Sequence, residues 1–152
     1  MKRRDFSGAS ARLAEAARRR PAAETARSAH IRTVQAQIDA IGRGDLSAAL
    51  ESAREDVLLE IFAPPEFPWI RTARGLADLH AAMTHNFGSV DDQRPEIQNV
   101  VAEGESVVLF GREHGVIRET GHPYDVQFVQ RFTFVEGRLA SIRIVAAKTE
   151  VA

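Results

Sequence analysis

The 152-residue chain contains no cysteine. That excludes disulfide bridges, thiolate zinc sites and a cysteine nucleophile. No apolar run approaches the roughly 18 residues of a membrane-spanning helix, so no membrane association is expected. Neither sign of charge dominates: 20 Lys+Arg face 21 Asp+Glu, for a net charge of −1. The strong basic field of a dedicated nucleic-acid binder is therefore missing, and no nucleic acid is expected as partner. No phosphate-cradling "G-x-x-x-x-G-K" loop occurs. What is present is 44% hydrophobic residues, enough for one core in a chain of single-domain length. A globular protein of the cytoplasm is the expectation.

Charge is unevenly spread. Residues 1–27 carry eight Lys/Arg against three Asp/Glu, and the remainder twelve against eighteen. Besides Met1, Phe6 and Leu13 are the only large apolar side chains of this segment, which makes it a poor candidate for core. It reads as a basic arm, partly helical or disordered, broken at Arg18-Arg19-Arg20-Pro21. Arg3-Arg4-Asp5-Phe6 resembles a twin-arginine export signal. The uninterrupted apolar stretch such a signal needs is interrupted by Arg12, Glu15 and Arg18.

From residue 23 the pattern strengthens. Ile31, Val34, Ile38 and Ile41 fall at helical spacing, and Gly42 and Gly44 end the helix. Asp45 suits the N-cap of a second helix with an inner stripe of Leu46, Ala49, Leu50 and Ala53. Residues 57–62 read as a buried strand. Pro64, Pro65 and Pro68 then forbid regular structure. Phe67, Trp69 and Ile70 make this loop apolar enough to fold inward. A third helix follows Gly75, striped by Leu76, Leu79, Met83 and Phe87. After a polar turn at 89–94 the period becomes two: strands at 96–102, 107–117, 124–135 and 139–148, joined by turns at 104–105, 119–123 and 136–137. Helices followed by hairpin-linked strands predict an α+β fold with helices on one face of an antiparallel sheet.

The local text carries a family resemblance over about residues 28–148. Ala40-Ile41-Gly42-Arg43-Gly44-Asp45-Leu46, Asp56-Val57, Pro68-Trp69 with Arg74-Gly75, Thr120-Gly121-His122-Pro123 and Phe132-Thr133-Phe134-Val135-Glu136-Gly137-Arg138-Leu139 occur in the order of the SnoaL-like branch of the nuclear transport factor 2-like superfamily. The resemblance implies a cystatin-like cone, a curved antiparallel sheet wrapped around about three helices, with a pocket between sheet and helices. The domain would span 28–150, with 1–27 outside it. Relatives of this kind include ketosteroid isomerase, scytalone dehydratase, limonene epoxide hydrolase and the polyketide cyclases, so fold alone does not choose a function.

Carried across by motif, the acid–base positions of ketosteroid isomerase fall on Gln37, Ile61 and Gln130, none of which can move a proton. The cyclase histidine also falls on Gln130. Its aspartate falls in the last strand among Ile142, Ile144, Val145 and Ala147, where no carboxylate stands.

Strand alternation supplies an independent view. Val126, Phe128, Gln130, Phe132 and Phe134 share one face, and three phenylalanines mark it as the inner one. A buried amide must be hydrogen-bonded, so Gln130 pairs either with a ligand or with Gln37, a backbone group or water. In strand 107–117 two sets compete. Val107, Leu109, Gly111 and Glu113 facing inward would make Glu113 the plausible base. Val108, Phe110, Arg112 and His114 facing inward would offer Arg112 and His114 to an anion or enolate. Charged residues at a strand end are otherwise solvated rim.

His80 and His85 are five apart and share no metal-ligand face. His30 reads as surface and His122 as turn, so neither a metal site nor a cofactor is expected. Phe67, Trp69 and Tyr124 read as shaping the cavity entrance, with Met83 filling space beside them.

Three functions follow as alternatives. The favoured one is a binding module for a small apolar or aromatic molecule, held by Ile61, Trp69, Met83, Phe128 and Phe132 and oriented by Gln37 and Gln130, in a cavity of about 300–1,000 Å³. The second is an isomerase, cyclase or dehydratase in which Glu113, or His114 with Arg112, moves a proton next to a carbonyl. The third is a protein-interaction scaffold. A homodimer is expected through the mixed face of Gln127, Val129, Arg131 and Thr133.

Overall fold

A computed structural model describes residues 4–18 and 25–149. Its elements are α1 (Ser7–Arg18), α2 (Thr25–Gly42), α3 (Leu46–Ala49), β1 (Ala53–Phe62), β2 (Ala73–Arg74), α4 (Leu76–Gly88), β3 (Val90–Glu103), β4 (Ser106–Ile117), β5 (Pro123–Val135) and β6 (Arg138–Lys148). The fold is α+β, as the sequence implies, with four helices among the described residues. The Arg19-Arg20-Pro21 break lies outside the described residues. Among the described residues no helix is long and apolar enough to cross a membrane.

Six strands form one sheet in the order β2-β1-β6-β5-β4-β3. Three hairpins build β3 to β6 as an antiparallel meander. Within the expected antiparallel sheet, β1 alone among the described strands runs parallel to its neighbour, β6. The chain leaves β1 through the proline loop and α4 before the meander begins, and this long crossover permits a parallel pair.

Local chemistry accounts for the joints. Asp45 accepts from the backbone N–H of Ala48 at 3.0 Å and caps α3. That helix is shorter than expected: β1 already starts at Ala53, whose Cα pairs with Leu139. Glu136 and Gly137 both adopt positive φ, as a two-residue hairpin turn of the primed type demands.

The expected turn at 89–94 is instead the start of β3. It holds a bulge between Asp91 and Arg94, with Asp92 in the left-handed region at φ 50°. A bulge shifts the alternation of a strand. Here it turns Gln93 inward with Pro95 and Ile97.

The N-terminal segment also departs from expectation. Ala9, Leu13, Ala16 and Ala17 are buried core residues, Leu13 with no exposed surface at all. Their spacing of four, three and one makes a stripe of mostly small side chains, and α1 lies closely against α2 and β3 through it. Before α1, the backbone N–H of Asp5 donates to the carbonyl of Gln93 at 3.0 Å. His30 is buried rather than exposed, and its ring stacks on Phe134 at 4.3 Å.

Candidate functional site

The concave face of the sheet, α1, α2, α4 and the proline loop enclose a cavity of about 220 Å³. This is smaller than expected, because Phe6 and Ala9 of the N-terminal segment occupy one wall. It still exceeds the roughly 150 Å³ at which an apolar protein cavity takes up benzene.

Alternation on β5 places Tyr124, Val126, Phe128 and Gln130 on the cavity wall. Phe132, expected at the ligand, lies beyond it, 1% exposed and packed into the core. Gln37, Ile61 and Met83 line the cavity as expected. Gln37 donates to the carbonyl of Ala49 at 3.4 Å rather than pairing with Gln130.

The proline loop folds inward and contributes Pro64, Phe67 and Ile70. Asn86 fixes it by exchanging two 3.0 Å hydrogen bonds with the backbone of Arg71. His85 Nε2 donates to the carbonyl of Trp69 at 2.9 Å. Trp69, expected as a ligand contact, does not line the cavity; it stands behind Phe67 with ring centres 5.6 Å apart.

The two candidate faces of β4 are resolved. Val107, Leu109, Gly111 and Glu113 face inward. Arg112 and His114 face out and are removed as pocket residues. The Arg112 guanidinium grips Asp125 with two hydrogen bonds, Nε to Oδ1 at 2.7 Å and Nη2 to Oδ2. His114 Nδ1 lies 3.3 Å from the same carboxylate. The Arg112 bond holds the Asp125 carboxyl down to about 2.

Glu113 is the carboxylate of the cavity. Gln93 Nε2 donates to its Oε1 at 3.2 Å and Tyr124 Oη to its Oε2 at 2.8 Å. Burial pushes the Glu113 carboxyl above the usual carboxylate range, against the smaller opposing pull of these bonds and of His114. Burial beside that carboxylate also raises the Tyr124 phenol, which therefore stays protonated and donating at neutral pH. Phe67 packs edge-on against the Tyr124 ring at 5.2 Å.

Two glycines make this possible. A β-carbon at Gly115 would stand 2.5 Å from the Tyr124 phenol oxygen, and one at Gly111 would stand 2.7 Å from the Phe128 ring. Gly115 faces Tyr124 and Gly111 faces Phe128 across the β4–β5 pair, so each aromatic ring lies across the glycine opposite.

Sequence reasoning misses Gln93, which lies in the segment taken for a turn. It also gives Tyr124 only a shaping role. Among the described residues no three His, Cys, Asp or Glu side chains gather as metal ligands.

Residues 34–142 match the SnoaL-like domain family. No curated protein matches the chain. Among solved structures, the chain is similar to a nuclear transport factor 2-like protein of Burkholderia xenovorans LB400, at 26% identity and TM-score 0.66, covering 78% of this chain and 89% of the other. It is similar to a candidate SnoaL-like polyketide cyclase of Jannaschia sp. CCS1, at 20% identity and TM-score 0.68, covering 84% and 89%. A third likeness is to a candidate isomerase of Rhodopseudomonas palustris, at 20% identity and TM-score 0.65, covering 79% and 90%.

Proposed function

Because this chain belongs to the SnoaL-like domain family of the nuclear transport factor 2-like superfamily, and because its sheet and helices enclose an apolar cavity, we propose that it binds a small apolar or aromatic molecule there. The cavity wall carries the reading. Ile38, Ile41, Leu59, Ile61, Met83 and Phe128 supply apolar contact, and a few polar side chains interrupt it. That is the chemistry of a site that gains affinity from burial and orientation from isolated polar groups. Calorimetric titration with naphthalene tests it. Saturable one-to-one binding is expected, and Met83→Trp, which fills the space, should remove it. Absence of saturable binding to the wild-type protein overturns the reading.

A second reading has its own observation. Glu113 is a carboxyl with a raised proton affinity inside an apolar cavity, next to a phenol that donates. In a proton transfer next to a carbonyl, Glu113 would take the proton from the α-carbon while the Tyr124 hydroxyl turns its one O–H from Glu113 to the enolate oxygen. The candidate isomerase and cyclase among the similar structures are consistent with this class. The test is exchange of the α-protons of 2-tetralone in deuterium oxide, followed by NMR. Enzyme-dependent exchange that falls about 100-fold or more in Glu113→Gln is expected for a general base. Exchange equal to that of buffer removes the reading.

The outer face of the sheet supports pairing with a second copy of the chain. Phe62, Val145, Val129 and Phe110 are all exposed. Cross-strand register puts them in one row over four strands, Phe62 beside Val145, Val145 beside Val129, and Val129 beside Phe110. A two-fold axis along this row lays each apolar side chain against its own copy. It sets Arg131 over the partner's Gln127 and Arg143 over the partner's Ala147, which avoids like charges. Sedimentation should give a dimer mass for the wild type and a monomer mass for Val129→Glu. A monomeric wild type rules the pairing out.

A further inference from the structure

Gln37 and Asn86 line the helical side of the cavity. On the concave wall of the sheet the polar groups fall at two places separated by an apolar stretch. Glu113, held by Tyr124 and Gln93, marks one. Gln130 marks the other. It sits across from Leu109, four residues along β4 from Glu113. At about 3.3 Å per residue their backbone positions lie roughly 13 Å apart along the strands, and both side chains project from the same face of the sheet. Midway between them the wall is Phe128 and Ala146, with the flat ring of Phe128 over Gly111, while Val126 flanks the first mark and Leu109 and Ile144 the second.

Each mark has hydrogen-bonding capacity left over. Among the described residues no protein group bonds the Gln130 amide, which lines the cavity. At the other mark, Gln93 is 8% exposed and its side-chain oxygen is buried with no partner. A buried polar atom without a partner costs free energy that a correctly placed ligand recovers. Glu113 accepts one bond at each oxygen and retains a free lone pair on each.

Resting on the cavity reading above, we propose that the ligand is a flat molecule of about two fused rings with a hydroxyl at one end, donating to Glu113 or the Gln93 side-chain oxygen beside Tyr124, and a hydroxyl or carbonyl oxygen at the other end, bound at Gln130. Subtracting a hydrogen bond of about 2.8 Å at either end from the 13 Å leaves roughly 7–8 Å between the ligand oxygens. The two ends of a naphthalene skeleton set oxygens at about that separation, whereas oxygens on neighbouring carbons serve one mark only.

The probes are naphthalene, 2-naphthol, 2,3-dihydroxynaphthalene and 2,6-dihydroxynaphthalene, titrated calorimetrically into the wild-type protein. The two diols carry the same groups and differ in spacing. Binding of the 2,6-diol about tenfold tighter than the 2,3-diol is expected, the effect of one added hydrogen bond to the half-buried Gln130 amide. Gln130→Leu and Gln130→Met should each bring the 2,6-diol down to the affinity of 2-naphthol, each ligand being compared within the same variant. Circular dichroism and thermal melting confirm that each variant is folded. If one variant does not fold, the other still carries the comparison. Naphthalene binding together with equal affinity for the two diols overturns the two-ended ligand and leaves the cavity reading standing. Failure of all four probes to bind overturns both.

Discussion

Gly115 lies directly against the ring of Tyr124: a β-carbon at that position would stand 2.5 Å from the phenol oxygen that reaches Glu113. The glycine gives the neighbouring strand's tyrosine the room to lie flat and deliver its hydroxyl into the cavity. Gly115→Ala should destabilise the fold by about 1–3 kcal/mol through overpacking. In a Tyr124→Ala background the same change should cost much less, because the clashing ring is gone. Urea denaturation of the four proteins in this cycle measures the coupling. Additive effects would show that the glycine answers to some other contact.

The Glu113 carboxyl carries a pH signature. Its folded proton affinity is raised, chiefly by burial. The folded state therefore holds this proton more tightly than the unfolded chain does. The stability it contributes is complete below the unfolded carboxylate range and falls as pH rises through the folded value. Glu113→Gln keeps a neutral side chain at every pH. It should flatten the stability–pH curve on the alkaline side of that window and lose less stability than the wild type as pH rises from the ordinary carboxylate range toward neutrality. Chemical denaturation across that interval tests the sign. Parallel curves would show that the carboxylate is not desolvated.

Asp125 behaves in the opposite sense. Arg112 holds its carboxyl down to about 2. Its stabilising contribution is present above the ordinary carboxylate range and is lost as pH falls through about 2. Asp125→Asn should therefore be less stable than wild type at pH 6, with the difference closing toward pH 2. The pair is partly solvent-exposed, so the expected difference is small. Acid titration followed by circular dichroism gives the comparison. A difference that persists at pH 2 would point to packing rather than charge.

Leu13 tests whether the N-terminal helix belongs to the core. Its side chain has no exposed surface and packs in the same cluster as Ile31 and Val34. Leu13→Ala should cost about 2–5 kcal/mol, the range for truncating a buried leucine. A solvated arm would lose almost nothing. Thermal and urea melts of the single variant decide between the two.

Much of the fold is legible from periodicity. The stripe Ile31, Val34, Ile38 and Ile41 identifies α2, and the alternation from Val126 to Phe134 sets the inner face of β5. The SnoaL-like resemblance is carried by motifs at the joints, where a glycine, a proline or a capping aspartate has a fixed local role. The missed features share a different cause. Gln93 faces inward because of a bulge at Asp92, and one inserted residue reverses every side chain after it. Leu13 belongs to the core because small alanines let α1 approach α2 closely, and alanine carries little hydropathic signal. Trp69 is an apolar loop residue whose distance from the cavity is set by the His85 and Phe67 contacts, which are remote in sequence or irregular in backbone.

The sequence by itself determined most of the elements and the inner face of β5. These follow from side-chain identity and from period, which are local properties. Only the tertiary structure decided that Glu113 rather than Arg112 and His114 enters the cavity, and that Tyr124 and Gln93 hold it there. The two sets on β4 both end in charged residues, so hydropathy does not separate them. Gly111 and Gly115 leave space for rings from the adjacent strand, and at Gly111 for the Glu96 carbonyl as well; that space exists only once the register between strands is fixed.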